Sequence, residues 1–251
     1  MERPLRPAIA FRGGAIVPAG ELGPATTHAW LARERALEAL DQAWLHELRP
    51  EARALWLATG GSAIISALLY AVLWSVPVSC GLVLGMGVHE LGHWLMIRRL
   101  GLRSGPIVFV PFVGAMQKLK APPRSVFDGA QLALAGPLFG LMFAVGCKLV
   151  FLLTGQPVYR LLGTAHALLA LLDAVPFGML DGQRIFAALS RRHRSACAVA
   201  CAALALATQG LYLLPVCAAL AWSATRPAPQ VSPPWVAGVY IVLLSAAALL
   251  V

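Results

Sequence analysis

Runs of about twenty apolar residues, parted by short polar stretches, recur along this chain at about 54–76, 78–97, 130–153, 160–180, 196–223 and 235–251. Twenty apolar residues wound into an α-helix cross the hydrocarbon core of a bilayer, so the pattern predicts about six transmembrane helices. The preceding residues, 1–52, are polar. A Pro/Gly-rich lead is followed there by HAWLARERALEALDQAWLHEL. Trp30, Leu31, Leu37, Leu40, Trp44 and Leu48 recur in it at roughly helical spacing, which predicts an amphipathic helix lying on the membrane or against the core. Between the second and third runs, PIVFVPFVGAMQKLK (Pro106 to Lys120) is rich in Val and Phe on both sides of Pro111. It reads as two short strands in a membrane-dipping β-hairpin. The fold expected is an all-α polytopic membrane protein carrying this one hairpin. It divides into a cytosolic segment 1–52, a transmembrane core 53–194 and two additional transmembrane helices in 195–251.

Composition sharpens this picture. Of 251 residues, 59% are hydrophobic and 12% charged, about half the charge of an ordinary soluble domain. Seven of the eleven acidic residues precede residue 52, and only Glu90, Asp128, Asp173 and Asp181 follow. The net charge of +9 would suggest nucleic acid in a soluble protein, but here the cations sit beside apolar runs, where topology and anionic headgroups favour them. Nucleic acid is therefore not expected as a partner, and the lipid bilayer is. Arg98, Arg99, Arg103, Lys118, Lys120 and Arg124 mark one basic loop, and Arg184, Arg191, Arg192 and Arg194 another. By the positive-inside rule both loops and both termini are expected in the cytosol, with RPAPQVSPPW (Arg226 to Trp235) as a short linker on the far side. The first residues lack the apolar stretch and small-residue cleavage site of a removable signal peptide, so the first span is expected to direct insertion. Five cysteines in apolar runs, without a C-x-x-C pair, read as small buried hydrophobes. Richness in Ala, Leu and Arg over Lys and Ile points to a bacterial cytoplasmic membrane.

The second apolar run is interrupted by chemistry. In GMGVHELGHWLMI, Gly85 to Ile97, three ionisable side chains occupy a stretch where a charged group costs at least about 2.5 kcal/mol at the helix centre. On a helix His89 and His93 are one turn apart on one face, so both imidazoles can reach a single ion. Glu90, beside the first, is placed to take a proton from water that the ion activates. Zinc suits imidazole and carboxylate ligands that leave a fourth tetrahedral position open. For a third ligand the chain after residue 93 offers His166, His193, Asp128, Asp173 and Asp181. His193 and Asp128 fall in the basic loops, which turns attention to LLDAVPFGMLDGQRIF in the fourth run. There Asp173 and Asp181 flank Pro176 and Gly178, residues that break a helix, and broken backbone at membrane depth is tolerated where it lines a wet or protein-walled cavity.

At these residues the chain resembles the site-2 protease family of intramembrane zinc metalloproteases. HELGH matches the family's H-E-x-x-H. DAVPFGMLDG is similar to its N-x-x-P-x-x-x-L-D-G, and AGPLFG (Ala135 to Gly140) to its A-G-P-x-x-N. The resemblance covers about residues 80–190. It implies one zinc ion held by His89, His93 and Asp181, Glu90 as general base, and a membrane protein with a transmembrane helix as substrate, with the hairpin edge aligning the unwound segment. Two positions depart from the family: Asp173 and Gly140 each stand where asparagine is usual. A neutral Asp173 could donate to the oxyanion of the intermediate; an ionised one would play another part, such as orienting a ligand. A reading from a different class is a catalytically silent membrane scaffold that binds transmembrane helices.

Overall fold

The computed structural model describes residues 9–12, 15–18, 52–229 and 232–251; the amphipathic helix expected within 28–48 lies outside them. The chain divides into two units, Met1–Arg53 and Ala54–Val251. In the first, strands β1 (Ile9–Arg12) and β2 (Ala15–Pro18) pair antiparallel, with Arg12 opposite Ala15. The residues between those ends are Gly-Gly, a two-residue hairpin signal.

The second unit is mostly helical. Helix α1 (Ala52–Leu73) is followed across a two-residue turn by α2 (Val76–Arg99), which opens on Pro77 and ends on Arg98 and Arg99. These are the residues that suit the two poles of a helix dipole. Strands β3 (Ser104–Val110) and β4 (Gly114–Leu119) form the hairpin, with Val110 opposite Gly114 and Phe109 opposite Ala115. Helix α3 (Val126–Thr154) is capped by the Ser125 hydroxyl, which accepts from the Asp128 amide, and ends at left-handed Gly155. Helix α4 (Pro157–Asp173) gives way to an irregular stretch before the short α5 (Asp181–Ala187). Helices α6 (Arg191–Thr208), α7 (Leu214–Ala224) and α8 (Pro234–Leu250) complete the unit.

Among the described residues two helices, α2 and α3, are long and apolar enough to cross a membrane; at 1.5 Å per residue they reach about 36 and 43 Å, against about 30 Å of hydrocarbon. Around them the chain presents apolar side chains outward, among them Ile64, Leu68 and Val72 on α1 and Met142, Leu149 and Leu152 on α3. Such a surface is soluble in lipid and not in water, as befits a membrane-associated protein. Lipid offers no hydrophobic drive for helix to meet helix, so close packing must hold them together, and that requires small residues at the contacts. On α2 these are Gly81, Gly85 and Gly92. A methyl group there would run into Leu162, His166 and the Ala135 carbonyl respectively.

The run expected as one span at 196–223 is two helices. Gln209 takes a left-handed conformation at φ 50°, a 3-10 turn follows over Leu211–Leu213, and Pro215 starts α7 in the reverse direction. The Arg194 guanidinium, in the first turn of α6, donates to the carbonyls of Ser223 (3.2 Å) and Pro227 (3.3 Å) beyond the end of α7. The linker after residue 226 therefore lies at the same end of the bundle as the second basic loop, not across the membrane from it. His193 meets Ser232 there at 2.5 Å, and Phe127 at the start of α3 stacks edge-on against Trp235. Helix α8 runs from that end to the other, where Tyr212 donates to the Ala248 carbonyl. An uncharged run cannot distinguish one long crossing from two shorter helices folded on each other, and so its reversal was not legible.

Candidate metal centre

The face of α2 that carries Gly81 and Gly85 continues, at four-residue intervals, to His89 and His93. Both imidazoles therefore point into the seam with α3 and α4. They are admitted by Gly136 on α3, where a Cβ would collide with the Nε2 atoms of both histidines. The His93 Nδ1 lies 2.9 Å from the Leu132 carbonyl oxygen, one turn before Gly136. A proton donated from Nδ1 to that carbonyl leaves the Nε2 lone pair free for a metal.

Asp181 arrives from the other side of the break in the fourth apolar run. Helix α4 ends at Asp173. Turn bonds then run from the Val175 amide to the Leu172 carbonyl and from the Leu180 amide to the Phe177 carbonyl. Pro176 and left-handed Gly178 (φ 60°) keep this stretch from continuing as helix. Gly182 packs directly on the backbone of Ala174 and Val175, leaving no room for a Cβ. That contact folds the first turn of α5 back onto the end of α4 and carries Asp181 with it. The Ala174 carbonyl accepts from the Tyr240 hydroxyl of α8 at 2.6 Å, and Tyr240 stacks edge-on against Phe186 of α5. Both sides of the break thus rest on α8.

The three side chains converge. His89 Nε2 and His93 Nε2 are 3.0 Å apart, and the Asp181 Oδ2 lies 3.0 Å from the second and 3.6 Å from the first. Ligand atoms about 2 Å from a tetrahedral zinc stand about 3.3 Å from one another, so these separations suit a single zinc ion. Two neutral imidazoles and one carboxylate are also a donor set that zinc accepts. The fit is of both geometry and chemistry.

Glu90 is buried on α2 with His89, His93 and Asp181 as its ionisable neighbours. The Asp173 Oδ2, from the last residue of α4, lies 3.6 Å from His89 Nδ1. Gly140 faces the same nitrogen, and a Cβ there would stand 3.4 Å from it. The two positions that depart from the family pattern therefore meet at one atom. Of the other third-ligand candidates, none joins the cluster. His193 bridges Ser190 and Ser232, and Asp128 is in the first turn of α3. His166 is buried one turn along the seam from His89, against Gly85 and edge-on to Phe143, with an unpartnered Nε2. Sequence reasoning missed Gly136, which admits the two histidines, and the glycines of the α2 seam. The signal of the latter was the spacing of Gly81 and Gly85 in register with His89 and His93.

The family model described as peptidase family M50 matches residues 77–166, a stretch that includes His89, Glu90 and His93 and stops short of Asp181. A Synechocystis sp. protein named as a zinc metalloprotease is 28% identical over 132 residues, covering 51% of this chain and 32% of that protein. The chain thus matches about a third of that relative's length.

Proposed function

From an M50-family, site-2 protease-like zinc-metalloprotease domain with a His-His-Asp metal cluster, we propose that this protein is an intramembrane endopeptidase. Its substrates are membrane proteins with a transmembrane helix, cut in or near that helix. The observation that carries the reading is the convergence of His89, His93 and Asp181 at the spacing of one zinc ion. Zinc held there would supply a Lewis acid and lower the pKa of water toward neutrality. Glu90 is the general base: its carboxylate takes a proton from the attacking water and returns it to the leaving amine. Asp173 acts on His89. Its Oδ2, 3.6 Å from Nδ1, stands just beyond hydrogen-bond length, and as an ionised neighbour it favours the ring orientation that keeps Nε2 toward the metal, a task in which it cannot donate to an oxyanion.

A peptide bond inside a helix is shielded, so the substrate must unwind and be held extended. The hairpin can do this. The Phe109 amide donates to the Ser62 hydroxyl (3.1 Å) and the Phe112 amide to the Tyr70 hydroxyl (3.0 Å), which turns the outer edge of β3 toward α1. Since Phe109 bonds outward, its partner Ala115 is in a pair whose backbone groups also point away from the hairpin. Ala115 and Gln117 therefore present β4 as an open edge for strand addition. In this proposal the hairpin dips into the membrane, and the polar segment 1–52 lies in the cytosol. The core 53–194 carries catalysis, and the helices of 195–251 support it. The scaffold alternative leaves Glu90, buried beside the metal ligands, without a purpose.

The test is purification in detergent, metal analysis and cleavage of a panel of single-span substrates. His89→Ala, His93→Ala and Asp181→Ala should each lose most of their zinc. Glu90→Gln should keep zinc and lose hydrolysis. Cleavage by Glu90→Gln at the wild-type rate would remove the general base, and full zinc occupancy in Asp181→Ala would remove the third ligand.

A further inference from the structure

At the end of the bundle where the basic loops gather, a cavity of about 800 Å³ opens between the broken stretch after α4, helix α5 and the ends of α6 and α7. Its walls are mixed. Phe177, Phe186 and Trp222 supply apolar surface, while Gln183, Arg194 and Arg226 supply donors. Arg194 is 5% exposed, and its guanidinium donates to three carbonyls: Leu189 through Nε, Ser223 and Pro227 through Nη1. The Ser223 carbonyl belongs to the last turn of α7, whose negative pole favours a cation, but none of the three acceptors is an anion. Among the described residues no carboxylate pairs with Arg194, and of the four acids after residue 52, Glu90, Asp173 and Asp181 are committed to the metal centre while Asp128 lies in the first turn of α3.

The placement of this cation is unfavourable in a second respect. It lies in the first turn of α6 with Arg191 and Arg192, and that turn contains no acidic residue. A helix N-terminus carries the positive pole of the dipole, which disfavours cations. A guanidinium held by carbonyls alone keeps its charge unneutralised, and an anion in the cavity would complete it. Arg226, stacked 4.1 Å over the Trp222 ring, brings a second guanidinium to the same walls. Two arginine forks suit the several oxygens of a phosphate group. The depth also fits, because Trp94 under Arg98 and Trp235 beside Phe127 lie at this same end, as interfacial tryptophans do.

We propose that this cavity binds a phosphate group, with Arg194 and Arg226 as its ligands and Trp222 as its wall. The group is that of an anionic phospholipid headgroup or of a soluble phosphate compound. The inference goes beyond the protease reading and stands without it. Its consequence for that reading is structural: the occupant rests against Phe177 and Gln183, on either side of Asp181, and so braces the stretch that carries the third metal ligand.

The experiment uses the full chain in nanodiscs of zwitterionic lipid, the same lipid doped with phosphatidylglycerol, or zwitterionic lipid with added inorganic phosphate. The readouts are the thermal unfolding midpoint and Trp fluorescence. Anionic lipid should raise the midpoint of wild type and of Arg99→Gln, a cation outside the cavity. Arg226→Gln and Arg194→Lys should weaken the apparent affinity roughly tenfold or more, as expected for losing a charge-assisted fork. Arg226 is exposed, so its variant remains informative should the buried Arg194 variant fold poorly. Stabilisation by inorganic phosphate, lost in the same variants, would support the site and identify the source as soluble. An equal gain in all four proteins would reduce the effect to diffuse surface attraction and overturn the proposal, as would no gain in any of them.

Discussion

His89 shows how much of this site is decided by single atoms. Its Nε2 joins the metal cluster, while its Nδ1 faces Gly140 and the Asp173 carboxylate. Relatives of the motif usually bear asparagine at both of those positions. Here one is a glycine that leaves space and the other an acid whose Oδ2 lies 3.6 Å from that nitrogen, and the orienting role proposed for Asp173 rests on this approach. Oriented carboxylates of this type typically alter metal affinity or activity by about 10- to 100-fold. Asp173→Ala should therefore weaken zinc binding by about that factor, whereas Asp173→Asn, whose carbonyl can still face Nδ1, should retain most of it. Competition with a chelator measures both. If the residue were instead a neutral acid serving the oxyanion, Asp173→Ala would keep its zinc affinity and lose only turnover, and that split in the data would reject the orienting role.

At the scale of elements, the hairpin and the broken fourth run depart from a plain bundle: the first packs on α1 and α2, and the second carries a metal ligand. β3 is tied to α1 through Ser62 and Tyr70, with Phe112 edge-on to the Tyr70 ring at 5.3 Å. β4 has no such tie through Ala115, whose amide points away from its partner strand. Proline at that position removes one donor from the open edge and leaves the paired edge intact. Ala115→Pro should raise KM for a transmembrane substrate while zinc content stays at the wild-type level. Unchanged KM would exclude the β4 edge as the docking strand. Helix α8 is equally a part of the site, because Tyr240 bonds the last turn of α4 and stacks on α5.

For the whole molecule, three contacts orient the last helices. His193 with Ser232 and Phe127 with Trp235 place the start of α8 beside the starts of α3 and α6, while Tyr212 with Ala248 places its end at the opposite pole. Were the basic loops cytosolic, as the positive-inside rule expects, the linker near 226–229 would be cytosolic too and the end of α8 extracytoplasmic. Reporter fusions after Arg124, Arg194 and Pro229 should therefore report the same compartment, and a fusion after Leu250 the other. A cytosolic signal after Leu250 would contradict the α6–α7 hairpin. The cavity proposed to bind phosphate belongs to this scale too, since it is assembled from the ends of elements far apart in the chain.

Hydropathy and local spacing determined the membrane character, the hairpin, the break at Pro176 and the pairing of His89 with His93, because each depends on residues within a few turns of one another. His89, Glu90 and His93 were legible for the same reason: an i, i+4 pair shares a helix face wherever the helix lies. Asp181 was named through resemblance alone, since eight residues and a proline separate it from Asp173 and no periodicity crosses such a break. Only the tertiary structure decided that Gly182 closes against Ala174 to deliver Asp181, that Gly136 clears the space for two imidazoles, and that Asp173 meets His89. The reversal between α6 and α7 was likewise hidden, because within a run that has no charge hydropathy is the same whether the chain continues or turns back. What resolves it is the contact of Arg194 with carbonyls some thirty residues away, a hydrogen bond whose partners share no pattern in the sequence.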